Sequence, residues 1–209
     1  MVLLCTYMLY KIVVARYNEN IEWLTPELHN CIIYNKGEPL HMNEIQLPNV
    51  GRESETYLRY IITNYHALPD IVVFTQARIS DHKGSDDVNY LIRIKNEANQ
   101  YKKSTNYITH YQSEHYSYWD KEWNLIQGEY YLPDNYKTKM LFIDWFIANI
   151  GEFPTPIKIY ANGIFAVKKE QILNKPIEYY QKLLLEVNHH INPSEGHFLE
   201  RSWYYIFER

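Results

Sequence analysis

The sequence predicts an α/β fold, a central mixed, mostly parallel sheet flanked by helices, and three observations carry that prediction. The short apolar runs Lys11–Ala15, Asn30–Tyr34 and Ile71–Phe74 are bounded by polar residues, and Ile71–Phe74 is apolar on both faces, as a strand covered by helices on either side would be. Segments of helical period separate these runs, giving the order β-α-β-loop-α-β of a layered α/β domain. Two strand ends, Ala15-Arg16-Tyr17-Asn18-Glu19 and Phe74-Thr75-Gln76, turn polar, and open α/β sheets bind ligands beyond the carboxyl ends of their strands.

The apolar start Met1–Tyr10 is too short to span a bilayer and no small-residue cleavage site follows it, so it reads as an extension into the first strand, Lys11–Ala15. A helix start at Asn18-Glu19 carries Ile21 and Leu24 inward, with Asn18 as its N-cap. Asn30–Tyr34 is a second strand, stopped by the turn Asn35-Lys36-Gly37. Leu58, Ile61, Ile62 and Tyr65 fall at helical spacing within Glu53–Tyr65, a core-facing helix. Ile71–Phe74 is a central parallel strand. Asp86–Tyr101 is another helix, capped by Ser85-Asp86-Asp87. The segment Ser104–Pro133, crowded with Tyr, His and Trp, has the irregularity of a binding loop or lid. Leu141–Ile150 returns to a helical pattern, and Ile157–Tyr160 and Ile164–Lys168 are short strands around Asn162-Gly163. Pro176 suits the first turn of a helix running to about Asn188, and a last helix covers Gly196–Phe207. A single domain, residues 1–209, accounts for the whole.

With 209 residues the chain buries a sizeable core without a covalent staple. Cys5 and Cys31 lie in apolar surroundings without metal-ligand spacing, as small hydrophobes in a reducing, cytoplasmic setting. A net charge of −4 with mixed signs supplies no electropositive face for nucleic acid. The 21 tyrosines suit sugar faces and equally a wet core margin. There is neither a Walker-type phosphate loop nor a GxGxxG fingerprint, so P-loop NTPase, kinase, dinucleotide oxidoreductase and ordinary methyltransferase chemistry lose their support.

Four constellations remain. Ala15-Arg16-Tyr17-Asn18-Glu19 has the place of a loop that holds a base and ribose. In Asn49-Val50-Gly51-Arg52-Glu53, glycine permits a tight turn into a helix whose free N–H groups, with Arg52, suit an anionic diphosphate; the alternative is a plain helix start with a solvated Arg52–Glu53 pair. After Gln76 and Arg78, Asp81 beside His82 offers oxygen and imidazole ligands, which suit Mn²⁺ better than Mg²⁺. Finally, Asn162-Gly163 permits close approach of a substrate, Glu200 has the chemistry to contact acceptor hydroxyls or act as base, and His197 to complete a metal shell. The alternative there is a surface Glu200–Arg201 pair with Trp203 in the core.

Through Tyr34-Asn35-Lys36-Gly37, Pro48-Asn49, Gly51-Arg52-Glu53, Thr56-Tyr57-Leu58, Phe74-Thr75-Gln76, Asp81-His82, Gly163-Ile164-Phe165 and Glu200-Arg201-Ser202-Trp203, the chain resembles a family of uncharacterised domains of fungi, bacteria and large DNA viruses. That family in turn resembles GT-A glycosyltransferases, and is similar to a virus-encoded domain thought to build capsid glycans with a UDP-sugar and Mn²⁺. The resemblance implies a GT-A-like (Rossmann-like) fold and a metal-assisted glycosyltransferase, in a host's cytoplasm if viral. It implies a UDP-sugar donor held by Ala15, Arg16, Tyr17, Asn18, Glu19, Arg52, Gln76, Asn162 and Gly163, with a glycan or glycoprotein acceptor. Mn²⁺ or Mg²⁺ would be held by Asp81, His82 and His197, and Asp81 and Glu200 would be catalytic. The chain departs from the family pattern at Ala77, where glycine is preferred, and has no Asp-x-Asp at the strand end. The rival expectation is a non-catalytic carbohydrate- or partner-binding domain on the same fold.

Overall fold

The computed structural model describes residues 9–40, 43–101, 108–110, 140, 142–154 and 158–208. The expected N-terminal extension up to residue 8, and the aromatic segment 104–133 apart from 108–110, lie outside the described residues. The strands are β1 (Tyr10–Arg16), β2 (Cys31–Asn35), β3 (Ile45–Gln46), β4 (Ile71–Gln76), β5 (Ile108–His110), β6 (Lys158–Tyr160) and β7 (Phe165–Lys168). The α-helices are α1 (Arg52–Asn64), α2 (Ser80–Lys83), α3 (Val88–Tyr101), α4 (Phe142–Asn149), α5 (Lys169–Leu173), α6 (Ile177–Val187) and α7 (Ser194–Glu208). The main sheet has the order β3-β2-β1-β4-β7, parallel except for β7, which runs antiparallel to β4. It is the expected α/β, Rossmann-like arrangement. β5 and β6 form a separate antiparallel pair.

Successive residues of the central strands serve opposite layers. Val13, Val72, Phe74, Phe165 and Val167 point to a core shared with α1, α4, α6 and α7, while Ile12, Val14, Ile71, Val73 and Ala166 meet α3 and the 3₁₀ helix Glu22–Asn30. All ten are fully buried, which is why these runs carry no alternation. On the first face Trp203 and Phe207 of α7 pack on Phe165 with ring centroids 5.7 and 5.6 Å apart, and Tyr57 meets Phe165 edge-on at 5.9 Å, which holds α7 and α1 against the sheet. No helix among the described residues is long and apolar enough to cross a membrane.

Two expected elements are corrected. The helix expected from Asn18-Glu19 begins at Glu22 and is 3₁₀; Pro26 lies inside it and has no N–H to give. Asn18 does not cap it, because its Oδ1 accepts the N–H of Glu38 instead. Ile21 and Leu24 still point inward. α3 starts at Val88, with Asp87 Oδ1 accepting the N–H of Asn89. Asp86 instead takes the N–H groups of Ile79 and Ser80, opening the short α2. β3 and α5 are too short to leave a periodic signal.

One ion pair ties the sheet to α1. Lys36, just beyond β2, is 5 % exposed in its side chain and lies 2.9 Å from Glu55 Oε2, whose side chain is wholly buried. Its ammonium also donates to the carbonyls of Val50 and Arg52, at 2.5 and 2.6 Å. Glu55 is further paired with Arg59 one turn along α1. Gly51 is obligatory in this corner: its φ is +63°, and an added Cβ would stand 2.5 Å from Glu55 Cβ and 2.7 Å from the Val187 carbonyl oxygen. Replacing Lys36 with Met therefore leaves a carboxylate enclosed with one cation fewer. Removing one member of a buried pair costs about 3–5 kcal/mol, to be read as a lowered midpoint in urea unfolding, with Lys36→Arg losing less.

Candidate functional site

The chain leaves β1 for β2 on the α3 face and returns to β4 by way of α1 on the other, so the connections diverge between β1 and β4. Ligands of open α/β sheets bind at such a switch point, outside the strands' carboxyl ends. A crevice of about 200 Å³ lies there, lined by the Ala15–Tyr17 corner, Glu19, Lys36, Asn49, Arg52, Glu53 and Gln76. A second hollow of about 420 Å³ shares Arg16 and Glu19 with it and continues along Asn18, Asn20 and Thr25 to Leu28 and Leu40.

Of the residues expected to hold a nucleotide sugar, Ala15, Arg16, Tyr17, Glu19, Arg52 and Gln76 line the crevice, and Asn18 lines the adjoining hollow. Arg16 is largely an organiser of its own loop: Nε donates to the Glu19 carbonyl, and Nη1 to the carbonyls of Tyr17 and Glu38 and to Asn35 Oδ1. Glu19 folds back so that Oε2 accepts the N–H groups of Tyr17 and Asn18. Gly37 meets this loop so closely that a Cβ would stand 1.8 Å from the Tyr17 carbonyl oxygen. Asn162 and Gly163 form the wall behind Gln76: Gln76 Nε2 donates to the Asn162 carbonyl, and the buried Tyr57 hydroxyl donates to that of Gly163. Both residues take positive φ, +64° in each case.

Arg52 stands at the crevice mouth with φ +49°, uncommon for a residue with a side chain. Its Nη1 lies 3.3 Å from His197 Nε2, which is itself 2.9 Å from Asn192 Oδ1. Burial, then the nearby charges of Arg52 and Arg201, push the His197 imidazole down to about 3, so it is neutral at pH 7. Glu200 does not line the crevice. Its Oε2 is 3.5 Å from Arg201 Nη1 and 3.9 Å from His197 Nδ1. Burial raises its proton affinity; Arg201 opposes that rise and the Glu53 carboxylate adds to it. The surface pair offered as the alternative is thus half-enclosed, while Trp203 is buried.

The expected metal ligands do not come together. Asp81 lies on exposed α2, its Oδ2 accepting from Arg78 Nε at 2.9 Å, with both side chains more than half exposed. His82 is exposed, and His197 faces a guanidinium, a poor neighbour for a cation's ligand. Among the described residues no group of three His, Cys, Asp or Glu is placed to hold a metal ion. The sequence reading missed Lys36, Asn49 and Glu53 as lining residues. Glu53 was the legible one, since it follows Gly51-Arg52 at the helix start, but a glutamate in a first helical turn is ordinarily solvated.

The fold and crevice define an α/β protein with a charged ligand-sized cleft at the switch point of its sheet. The family model described as "Protein of unknown function (DUF3431)" matches residues 12–209, and the chain belongs to that family. No curated protein and no solved structure matches the chain.

The His197 environment sets a pH dependence. Between the ordinary value of 6.5 and about 3 the unfolded chain binds a proton that the folded imidazole refuses. Stability is full above pH 6.5 and falls as pH drops towards 3, while Glu200, with its raised proton affinity, contributes the opposite slope. His197→Gln flattens the imidazole part of the curve in urea melts taken between pH 7 and 4. Replacing Asp81 with Ala removes only an exposed pair, worth under about 1 kcal/mol. The urea-unfolding midpoint of this variant therefore stays close to that of wild type.

Proposed function

We propose that the protein is a glycosyltransferase that takes a sugar from a nucleotide-sugar donor, a UDP-sugar by preference, to a glycan or glycoprotein acceptor. The observation that carries this reading is the switch-point crevice, in which the Ala15–Glu19 loop, Arg52 and the buried Glu53 carboxylate converge. The nucleoside lies along Ala15–Glu19, at the boundary of the two hollows, and Gln76 with Asn162 and Gly163 closes the inner wall. The sizes support this in combination, since ligand pockets ordinarily reach about 300–1,000 Å³. Transfer breaks the anomeric carbon–oxygen bond and leaves growing negative charge on the diphosphate. A fixed guanidinium at the mouth stabilises that charge better in the transition state than in the ground state. Glu200 enters as a positioning residue, its Oε2 3.5 Å from Arg201 Nη1 and 3.9 Å from His197 Nδ1.

Two of the expected metal ligands are engaged elsewhere: Asp81 by Arg78, His197 between Arg52 and Asn192. That same engagement favours one rival, a carbohydrate- or partner-binding domain that uses the crevice without catalysis. The two separate on UDP release: the transferase liberates UDP from a UDP-sugar in the presence of acceptor, and the binding domain does not.

Arg52→Ala tests the diphosphate contact. A charged hydrogen bond is worth about 1.5–3 kcal/mol, so affinity for UDP drops about tenfold or more while that for uridine stays within about twofold. Equal loss of both ligands by titration calorimetry rules the diphosphate role out.

A further inference from the structure

One buried charged group of the crevice, Glu53, has no part in the transfer described above. Glu53 lines the cleft with a side chain only 9 % exposed. Its nearest opposite charge is Arg52 Nε, 3.6 Å from Oε2 and beyond hydrogen-bond reach. Among the described residues none donates a hydrogen bond to this carboxylate. An enclosed carboxylate without donors is costly, so the position suits a ligand that brings donors of its own.

The surroundings narrow the chemistry of those donors. A methyl group built on Gly163 would stand 3.8 Å from Glu53 Oε1 and 3.8 Å from Gln76 Nε2, so the three residues form one continuous wall. Gln76 directs its amide N–H to the Asn162 carbonyl, which leaves its own Oε1 as a second acceptor. An ammonium ligand would satisfy both acceptors but would enter a crevice already lined by Arg16, Lys36 and Arg52. Neutral hydroxyls meet no such repulsion. A carboxylate accepts through two oxygens at once, which matches neighbouring hydroxyls on one ring.

We propose that Glu53 is the residue that reads sugar hydroxyls in this crevice, accepting hydrogen bonds from a vicinal pair while Gln76 accepts from a third. That the sugar arrives attached to a nucleotide rests on the function proposed above; the hydroxyl chemistry does not. Glu53 is thereby a specificity-determining residue of the donor site, set apart from Arg52, which meets the anionic end of the same ligand.

Titration calorimetry on the full chain tests this with wild type, Glu53→Gln and Glu53→Ala. The probes are UDP, UDP-glucose, UDP-galactose and UDP-N-acetylglucosamine, with the methyl glycosides of the same three sugars. The expected result is a UDP-sugar bound more tightly than UDP by wild type, an advantage reduced at least tenfold in Glu53→Ala and partly kept in Glu53→Gln. Affinity for UDP itself stays within twofold. UDP-sugars no tighter than UDP, or an equal advantage in all three proteins, overturns the proposal. If wild type binds no uridine ligand, the nucleotide-sugar reading fails and the methyl glycosides decide: Glu53-dependent binding upholds the role, and no binding overturns it too. Circular dichroism melts check the fold of each variant, and should Glu53→Ala unfold, the same comparison is made with Glu53→Gln.

Discussion

The ammonium of Lys36 sits where the end of β2 meets the start of α1, and the geometry of the crevice follows from how that charge is satisfied. Enclosing an ion costs several kcal/mol even after relaxation, and attraction to a partner offsets it only when the remaining valences are filled. Here they are: Glu55 at 2.9 Å and the carbonyls of Val50 and Arg52 take the ammonium, while Arg59 takes the other side of the Glu55 carboxylate. Burial lowers the proton affinity of Lys36 and Glu55 raises it again. A helix whose first turn is held in this way cannot slide or rotate against the sheet without stranding a charge.

The backbone of the 49–53 corner bears the consequences. Gly51 and then Arg52 take positive φ, and for the arginine this costs on the order of 1–3 kcal/mol. The corner is held from a second side: the Gly51 N–H donates to the His190 carbonyl, and Ser54 Oγ to that of Gly196. α1 thus begins between the end of β2 and the beginning of α7. Arg52 is turned towards the mouth and Glu53 towards the wall formed by Gln76 and Gly163. The residues that line the crevice come from four stretches of the chain, 15–19, 36, 49–53 and 76, and the Arg16 and Lys36 side chains tie two of them in place through backbone carbonyls.

How much of this could be read from the chain depends on whether a residue's neighbours are local. The strands were legible because Val13, Val73 and Phe74 are apolar on account of layers above and below them, which any doubly covered strand shows. The 3₁₀ helix at Glu22–Asn30 was not, because its period is that of an α-helix to within one turn and only Pro26 marked the difference. Asp86 was read as a cap for the helix after it and serves the one before it, since spacing alone does not give direction. In the site, Arg52 and Gln76 were legible from their place after a glycine turn and at a strand end. Lys36 was not, and position alone did not give the roles of Arg16 and Glu53, because what decides between a ligand contact and a structural contact lies some twenty residues or more away: Asn35 for Arg16, Glu55 for Lys36, Gly163 for Glu53. Asp81 is the opposite case. Its partner Arg78 is three residues off, and that local pair holds its carboxylate on the exposed side of α2.

The resulting charge pattern gives the crevice a direction. The mouth carries Arg52, with neutral His197 and Asn192 beside it, and the interior carries the Glu53 carboxylate and the Gln76 amide. A ligand with an anionic end and a hydroxylated end satisfies both only in one orientation, because reversal would set like charges together at the wall and leave Arg52 facing hydroxyls. Such a preference needs no closing lid, since donors and acceptors already stand on rigid elements, and interactions in a partly enclosed site are stronger than in bulk water. The clamped helix start sets a guanidinium and a carboxylate on consecutive positions of the crevice lining. It also makes the placement of both depend on Lys36, whose ammonium holds the carbonyls of Val50 and Arg52 and the carboxylate of Glu55.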